Sequence, residues 1–324
     1  MSLTTSKVHI GEEKLPLTIT FENGSPEEFV EWYMQNKEFV EDKITNIGAI
    51  HFVNIGVDTV EKFGELMKTL RPQAPGYLDG NSSRSKYSSN VYNASEYDNN
   101  SVVQLHTEYS YSNVWPDQIH FCCVQPAATG GETTVADTKL VAEKLSPHII
   151  QEFEEKGISY IRNHHGGNGF GPSWMEAFET DDKEFLEKYC KENDIEPEWL
   201  PDGSLRVTQK RPAFRTHPKT GQKLWFNQVD QFFPAIYGEE VYETLLMMVG
   251  NDVNKLPMHS TYADGSPIQL EYIQEIINIL DEITIPVPWK KGDILMVDNM
   301  TALHGRLPFT GERKILASMS NYAS

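Results

Sequence analysis

Hydrophobic and polar positions along the chain follow two rhythms, a helical one that dominates the first third and a strand-like one that dominates the end. Ser25-Pro26-Glu27-Glu28 reads as an N-cap, a proline at the first helical position and acids in the first turn. Phe29, Val30, Trp32, Tyr33 and Phe39 then supply an apolar stripe. Residues 48–54 (GAIHFVN) predict a strand, with a short helix over 57–70. Residues 71–101 are rich in Ser, Asn, Gly and Tyr and read as a long loop region. Residues 118–124 (QIHFCCV) are strand-like, and 132–136 read as the neighbouring strand across the 126–131 turn. Two helices follow, the second opened by Ser146-Pro147 and closed by Gly157. Residues 181–193 are helical and charged, 224–228 (LWFNQ) predict a strand, and Ser266-Pro267 caps a helix reaching about Asp281. Strands over 283–289, 293–297 and 314–319 complete the pattern. No repeat or proline-rich linker divides the chain. The expectation is one domain over 1–324, mainly β with peripheral helices (α+β), its core at about 45–324 and a helical and loop insertion at about 138–215.

Composition narrows the function. Hydrophobic residues at 39% and charged residues at 23% exclude a disordered chain. The formal net charge of −19 disfavours nucleic acid and anionic membranes as partners and leaves a small molecule as the expected substrate. An anionic ligand would need a local basic pocket. Cys122 and Cys123 point to opposite faces of a strand, and with Cys190 they make no Cys-x-x-Cys pair, so neither a zinc ribbon nor a thioredoxin-type site is encoded. Residues 1–15 lack an apolar signal core and no apolar run approaches ~18 residues, which predicts a cytoplasmic protein.

Candidate chemistry lies in two places. In QLHTEYS (104–110), His106 and Glu108 are two apart, so an extended backbone points both side chains to one face. In DNMTALHGRLPF (298–309), His304 falls at an expected strand end or turn. Arg313 follows nine residues later (313 − 304) and opens the last strand, which the short loop would make an antiparallel neighbour of the His304 strand. Two histidines and one carboxylate leave three positions of a metal open, the facial arrangement of non-haem iron(II) oxygenases. Arg313 is a planar fork suited to a bound carboxylate. His51, His120 and His148 read as packing or surface residues, His164 and His165 as loop residues, and His217 and His259 as exposed.

The order His-x-Glu, then GGETTVAD (130–137), then DNMTALHGRLPFTGERK (298–314) resembles the taurine-dioxygenase-like oxygenases, in the branch with the syringomycin-pathway hydroxylase and clavaminate-synthase-like enzymes. NVYNASEY (90–97), RPAFRTHPKTGQKLWFNQ (211–228) and YADGSPI (262–268) fit the same resemblance, which runs from about Asn90 to the C-terminus. It implies a double-stranded β-helix, or jelly roll, using Fe(II), 2-oxoglutarate and O2. His106, Glu108 and His304 match the metal ligands. Thr133, 27 residues after the first ligand (133 − 106), matches a threonine that hydrogen-bonds 2-oxoglutarate, and Arg313 the arginine on its distal carboxylate. Arg84 and Asn227 are candidate substrate contacts. The implied reaction hydroxylates an aliphatic C–H of a small substrate, expected to be an amino acid, free or carried on an aminoacyl carrier protein, in specialised metabolism. Related halogenases carry a small residue at the carboxylate position, so Glu108 predicts hydroxyl transfer and not halide transfer. Residues 90–101 and 164–173 are expected lid segments. Two alternatives stand beside this reading. One is a zinc-dependent hydrolase on the same His/Glu/His set, and the other a non-catalytic jelly-roll binding protein. Thr133 and Arg313 argue against the hydrolase, which needs no dicarboxylate anchor, and the presence of all three ligands together with Arg313 argues against the binding protein.

Overall fold

The computed structural model describes residues 7–71, 86–88, 91–94, 97–169 and 171–323. Its centre is a pair of sheets. The larger runs Val8–Ile10, Leu17–Phe21, Ala49–Val53, Ile294–Asp298, Trp115–Gln125, Lys314–Ala323, Val91–Asn93, Lys86–Ser88. The smaller runs Ile285–Val287, Thr133–Asp137, Ala302–Arg306, Val103–His106. All pairings in both are antiparallel except Leu17–Phe21 with Ala49–Val53. The architecture is a double-stranded β-helix with peripheral helices, as the motifs imply.

The central strands of the large sheet are buried on both faces, and the two-residue period divides their side chains between two cores. Ile119, Phe121, Cys123, Leu295, Val297, Ile315 and Ala317 face the cluster that also holds Val135 and Leu303 of the small sheet. Cys122, Ile294, Met296 and Leu316 face the opposite cluster, with Phe29, Tyr33, Val40, Phe63 and Met67 of the helices Pro26–Gln35, Lys37–Ile47 and Val60–Leu70. The adjacent cysteines therefore lie in different cores, both unbonded to another cysteine. The first helix starts as its sequence predicts: Ser25 Oγ accepts from Glu28 N and Glu28 Oε2 accepts from Ser25 N, a reciprocal capping box.

Two expected pairings are corrected. Trp115–Gln125 and Thr133–Asp137 are not neighbours but belong to different sheets, and so do Ala302–Arg306 and Lys314–Ala323. A short turn implies a hairpin only when both strands stay in one sheet; here the chain crosses between sheets at each turn. The two crossovers pair with each other instead, Thr129–Gly130 with Phe309–Thr310. Ala128 N donates to Thr310 O at 2.9 Å and Gly131 N to Pro308 O at 3.0 Å. Smaller differences are that the strand at 224 ends at Trp225 and that the helix after Ser266-Pro267 begins at Leu270. His217 and His259 are buried, not exposed. His217 accepts from Lys219 N and Thr220 N through Nδ1 and lies 3.3 Å from Asp298 Oδ2 through Nε2. Among the described residues no helix is long and apolar enough to cross a membrane.

Candidate active site and metal centre

His106 ends its strand, whereas His304 sits in mid-strand and not at a strand end, directly opposite His106 in the ladder. Their ring centroids are 4.3 Å apart. The close approach of the two strands depends on Gly305, where a Cβ would stand 2.5 Å from Val103 O and 2.7 Å from Thr134 Oγ1. Glu108 lies two residues beyond the strand, so pleat alone does not aim it. Asn299 does: its Oδ1 accepts from Glu108 N at 2.7 Å and its Nδ2 donates to Glu108 O at 2.8 Å. Asn299 is fully buried, in the turn joining Ile294–Asp298 to Ala302–Arg306. Asp298 shapes that turn, its Oδ1 accepting from Met300 N and Thr301 N. Gln228 Nε2 donates to Thr107 O, and Gln231 Nε2 to Gln104 O and Leu105 O, which braces the same segment from outside.

The result is a compact donor set. Glu108 Oε2 lies 3.9 Å from His106 Nε2 and 3.7 Å from His304 Nε2, and one ligand atom from each residue falls within 4.8 Å of the others. His106 Nδ1 is 2.8 Å from Gln104 O; a carbonyl only accepts, so Nδ1 carries the proton and Nε2 presents its lone pair to the cluster. Two imidazole nitrogens and one carboxylate, with no thiolate, suit iron(II) with open positions. The residues fit the metal.

Thr133 and Arg313 lie on neighbouring elements, the Thr133–Asp137 strand beside His304 and the end of the second crossover. Thr133 faces the same way as Val135, and their ladder partners are Arg306 and His304. Thr133 Oγ1 accepts from Trp289 Nε1 at 3.0 Å. Arg313 Nε donates to Gly131 O at 2.9 Å, which leaves its two terminal nitrogens with no protein acceptor among the described residues. The Arg313 guanidinium lies 5.5 Å from the centre of the Phe309 ring, and that of Arg306 5.0 Å from it. Burial, and then the neighbouring Arg306 charge, lower the Arg313 pKa to about 10, so it remains cationic at neutral pH. Gly131 has φ +72, and a Cβ there would be 3.0 Å from Arg313 Cδ and Nε and from Phe309 Cβ. The paired crossovers thus hold a left-handed glycine against the arginine, where a side chain would press on Arg313 and Phe309. Lys314 points elsewhere, its ammonium 4.4 Å from the Tyr87 ring centre.

Of the residues expected from sequence, the structure brings together His106, Glu108 and His304, and it places Arg313 against Gly131, two residues before Thr133 in the chain. The Asn227 amide is partly engaged within the protein, Nδ2 donating to Ala213 O and Oδ1 accepting from Val229 N. Arg84 lies outside the described residues. Of the expected lid segments, Val91–Asn93 is a strand between Lys314–Ala323 and the edge strand Lys86–Ser88, and Arg306 holds the carbonyls of Tyr97, Asp98 and Ser101. Sequence reasoning missed Asn299, Trp289 and Gln228. Asn299 had a signal in the Asp-Asn turn just upstream of His304.

Comparison with known proteins agrees with this geometry. A protein-family description, taurine catabolism dioxygenase TauD, TfdA family, matches residues 13–319. The dapdiamide synthesis protein DdaC of Enterobacter agglomerans is 35% identical over 280 residues, 86% of this chain and 84% of that protein. A clavaminate synthase-like protein of Arabidopsis thaliana is 26% identical over 299 residues, 90% and 87% of the two chains. Among solved structures, PvcB of Pseudomonas aeruginosa, an Fe, alpha-ketoglutarate dependent oxygenase, shares the fold with a TM-score of 0.54 at 13% identity, over 99% of this chain and 93% of that one. The chain belongs to the taurine catabolism dioxygenase TauD, TfdA family and is an iron- and 2-oxoglutarate-dependent oxygenase.

Proposed function

We propose that His106, Glu108 and His304 hold the iron, that Thr133 and Arg313 hold 2-oxoglutarate, and that the enzyme hydroxylates an aliphatic C–H of an amino-acid-type substrate, free or carrier-bound. The observation that carries the assignment is the convergence of three ligand atoms within 4.8 Å, and the buried Arg313 held against Gly131 supports the co-substrate site. The overall change balances as substrate R–H, O2 and 2-oxoglutarate giving R–OH, succinate and CO2. The metal, when bound, supplies the activation of O2. The protein supplies position. Arg313 pairs two carboxylate oxygens through its open nitrogens, Thr133 adds a hydroxyl, and the Asn299 clamp keeps the Glu108 carboxylate on the shared face. Phe121 packs beside His304 at 5.2 Å between ring centres and keeps that side apolar. The donor pair Thr133 and Arg313 favours this reading over a zinc hydrolase, which has no use for a dicarboxylate. DdaC is named for dapdiamide synthesis and PvcB comes from an isonitrile synthetic pathway, which favours biosynthesis of a specialised product and keeps a carrier-bound substrate open.

The test is spectroscopic first. Anaerobic addition of iron(II) and 2-oxoglutarate should give a visible absorbance band that His304→Ala abolishes; no band in the native protein would defeat the proposal. Mass spectrometry across free and carrier-bound amino acids, seeking products heavier by one oxygen atom, then identifies the substrate. Products on neither class would remove the amino-acid assignment while leaving the oxygenase intact.

A further inference from the structure

The hydroxyl of Thr133 has a direction built into it. A hydroxyl offers one proton and two lone pairs, and it can turn its proton to whichever acceptor is available. Here one lone pair is taken by the indole Nε1–H of Trp289, a group that can only donate. The Thr133 proton must point away from the indole, and among the described residues no acceptor receives it. Trp289 is itself held on both sides. The His51 ring meets it edge to face, with centroids 5.7 Å apart and planes at 84°. The next residue, Lys290, donates its N–H to Asp293 Oδ2 at 3.0 Å, while Asp293 Oδ1 accepts from Asn54 N at 3.1 Å. Asp293 is buried, and His51 Nε2 lies 3.4 Å from its Oδ2. A turn fixed at Asp293 and braced against the Ala49–Val53 strand therefore carries the indole to Thr133.

We propose that Trp289 is a positioning residue for the co-substrate: by donating to Thr133 Oγ1 it aims the threonine proton away from the indole, so that the hydroxyl meets a 2-oxoglutarate carboxylate as a donor. This rests on the reading that Thr133 and Arg313 bind 2-oxoglutarate. Trp289 touches neither metal nor co-substrate in this scheme and acts only through Thr133. An unaimed hydroxyl must give up rotational freedom, or a competing orientation, when the carboxylate arrives. An aimed one does not.

The experiment measures binding and not turnover. The manganese(II)-loaded protein, which is redox-quiet, is titrated with 2-oxoglutarate by calorimetry. Trp289→Phe should weaken binding by about 2- to 12-fold, for one neutral hydrogen bond, and Thr133→Val by about 12- to 160-fold, for one to a charged carboxylate. The double variant should be no weaker than Thr133→Val alone. In Thr133→Ser, which keeps the hydroxyl, Trp289→Phe should still exact its full loss. Additive losses in the double variant, or no loss from Trp289→Phe, overturn the proposal. Normal affinity in Thr133→Val overturns the underlying reading as well, and so identifies which of the two has failed. Should Trp289→Phe not fold, the indole N–H resonances of the zinc-substituted protein provide the test. The one displaced by Thr133→Val should also move when 2-oxoglutarate is added to the native protein, and a stationary resonance refutes the coupling.

Discussion

Arg313 gives one nitrogen to Gly131 O and has the other two open for the co-substrate, so its removal should act on one ligand only. Arg313→Ala is expected to raise the 2-oxoglutarate requirement by roughly thirty- to several-thousand-fold, the effect of about 2–5 kcal/mol for a desolvated charge pair. Iron(II) affinity should be unchanged. Arg313→Lys should recover little, because it replaces a fork with a point charge, and Lys314→Ala should have no effect. Titrating the absorbance band with 2-oxoglutarate checks all three; a loss confined to Lys314→Ala would put the anchor one residue along. Glu108 leads to a second expectation. With a carboxylate filling that position, product mass in chloride buffer should show hydroxylation and no chlorination, while Glu108→Ala should lose hydroxylation. At this scale the sequence was most readable where a residue type has few uses: two histidines, one spaced carboxylate and an arginine after a glycine turn. Asn299 and Trp289 were not legible as site residues because asparagines in turns and tryptophans in cores are ordinary, and only the folded chain shows what their polar atoms reach.

Among the elements, the crossing turns carry more than the strands. Residues 293–297 and 118–124 could be read as strands because the central strands of the large sheet are buried on both faces, which leaves nearly continuous apolar runs. Which strands pair could not be read, since a turn that changes sheet looks like a hairpin turn in sequence. The Asp298–Thr301 turn links the sheets and also fixes Glu108 through two hydrogen bonds. Asn299→Ala removes the two hydrogen bonds that hold the buried Glu108 backbone and should cost about 2–6 kcal/mol of stability, two bonds at about 1–3 each. It should also weaken manganese(II) binding with His106 and His304 intact. Urea unfolding and metal titration separate the two effects; unchanged metal affinity in a folded Asn299→Ala would show that Glu108 aims itself. Gly131→Ala should weaken 2-oxoglutarate and spare the metal, because its Cβ would press on Arg313 while the ligand strands are untouched.

For the whole molecule, two buried groups pull stability in opposite directions with pH. Burial lowers the His164 pKa to about 3 from 6.5, so the fold keeps it neutral while an unfolded chain binds a proton. Its contribution is present above 6.5 and is lost as pH falls toward 3. Burial raises the Asp230 pKa to about 7 from 3.8, so the fold holds a proton that the unfolded chain releases. That contribution is present below 3.8 and is lost as pH rises through 7. His120 and His259 are lowered by burial like His164, so the acid side should dominate the native profile. Asp230→Asn should gain stability relative to native protein as pH is raised from 4 to 8 in urea unfolding, and parallel profiles would contradict the assignment.

The long reach of the clamp has a kinetic meaning. Asn299 and Glu108 are 191 residues apart in the chain, and Arg313 and Gly131 are 182 apart. Contacts of such separation form late, after the loop-closure entropy between them has been met by strand pairing. A half-folded chain therefore has no assembled metal site to offer, and the ion cannot template the fold. Manganese(II) should slow unfolding and leave the refolding rate unchanged, the signature of an interaction absent from the transition state. Stopped-flow refolding with and without the ion reads this directly, and faster refolding with metal would mean that the histidines meet before the barrel closes.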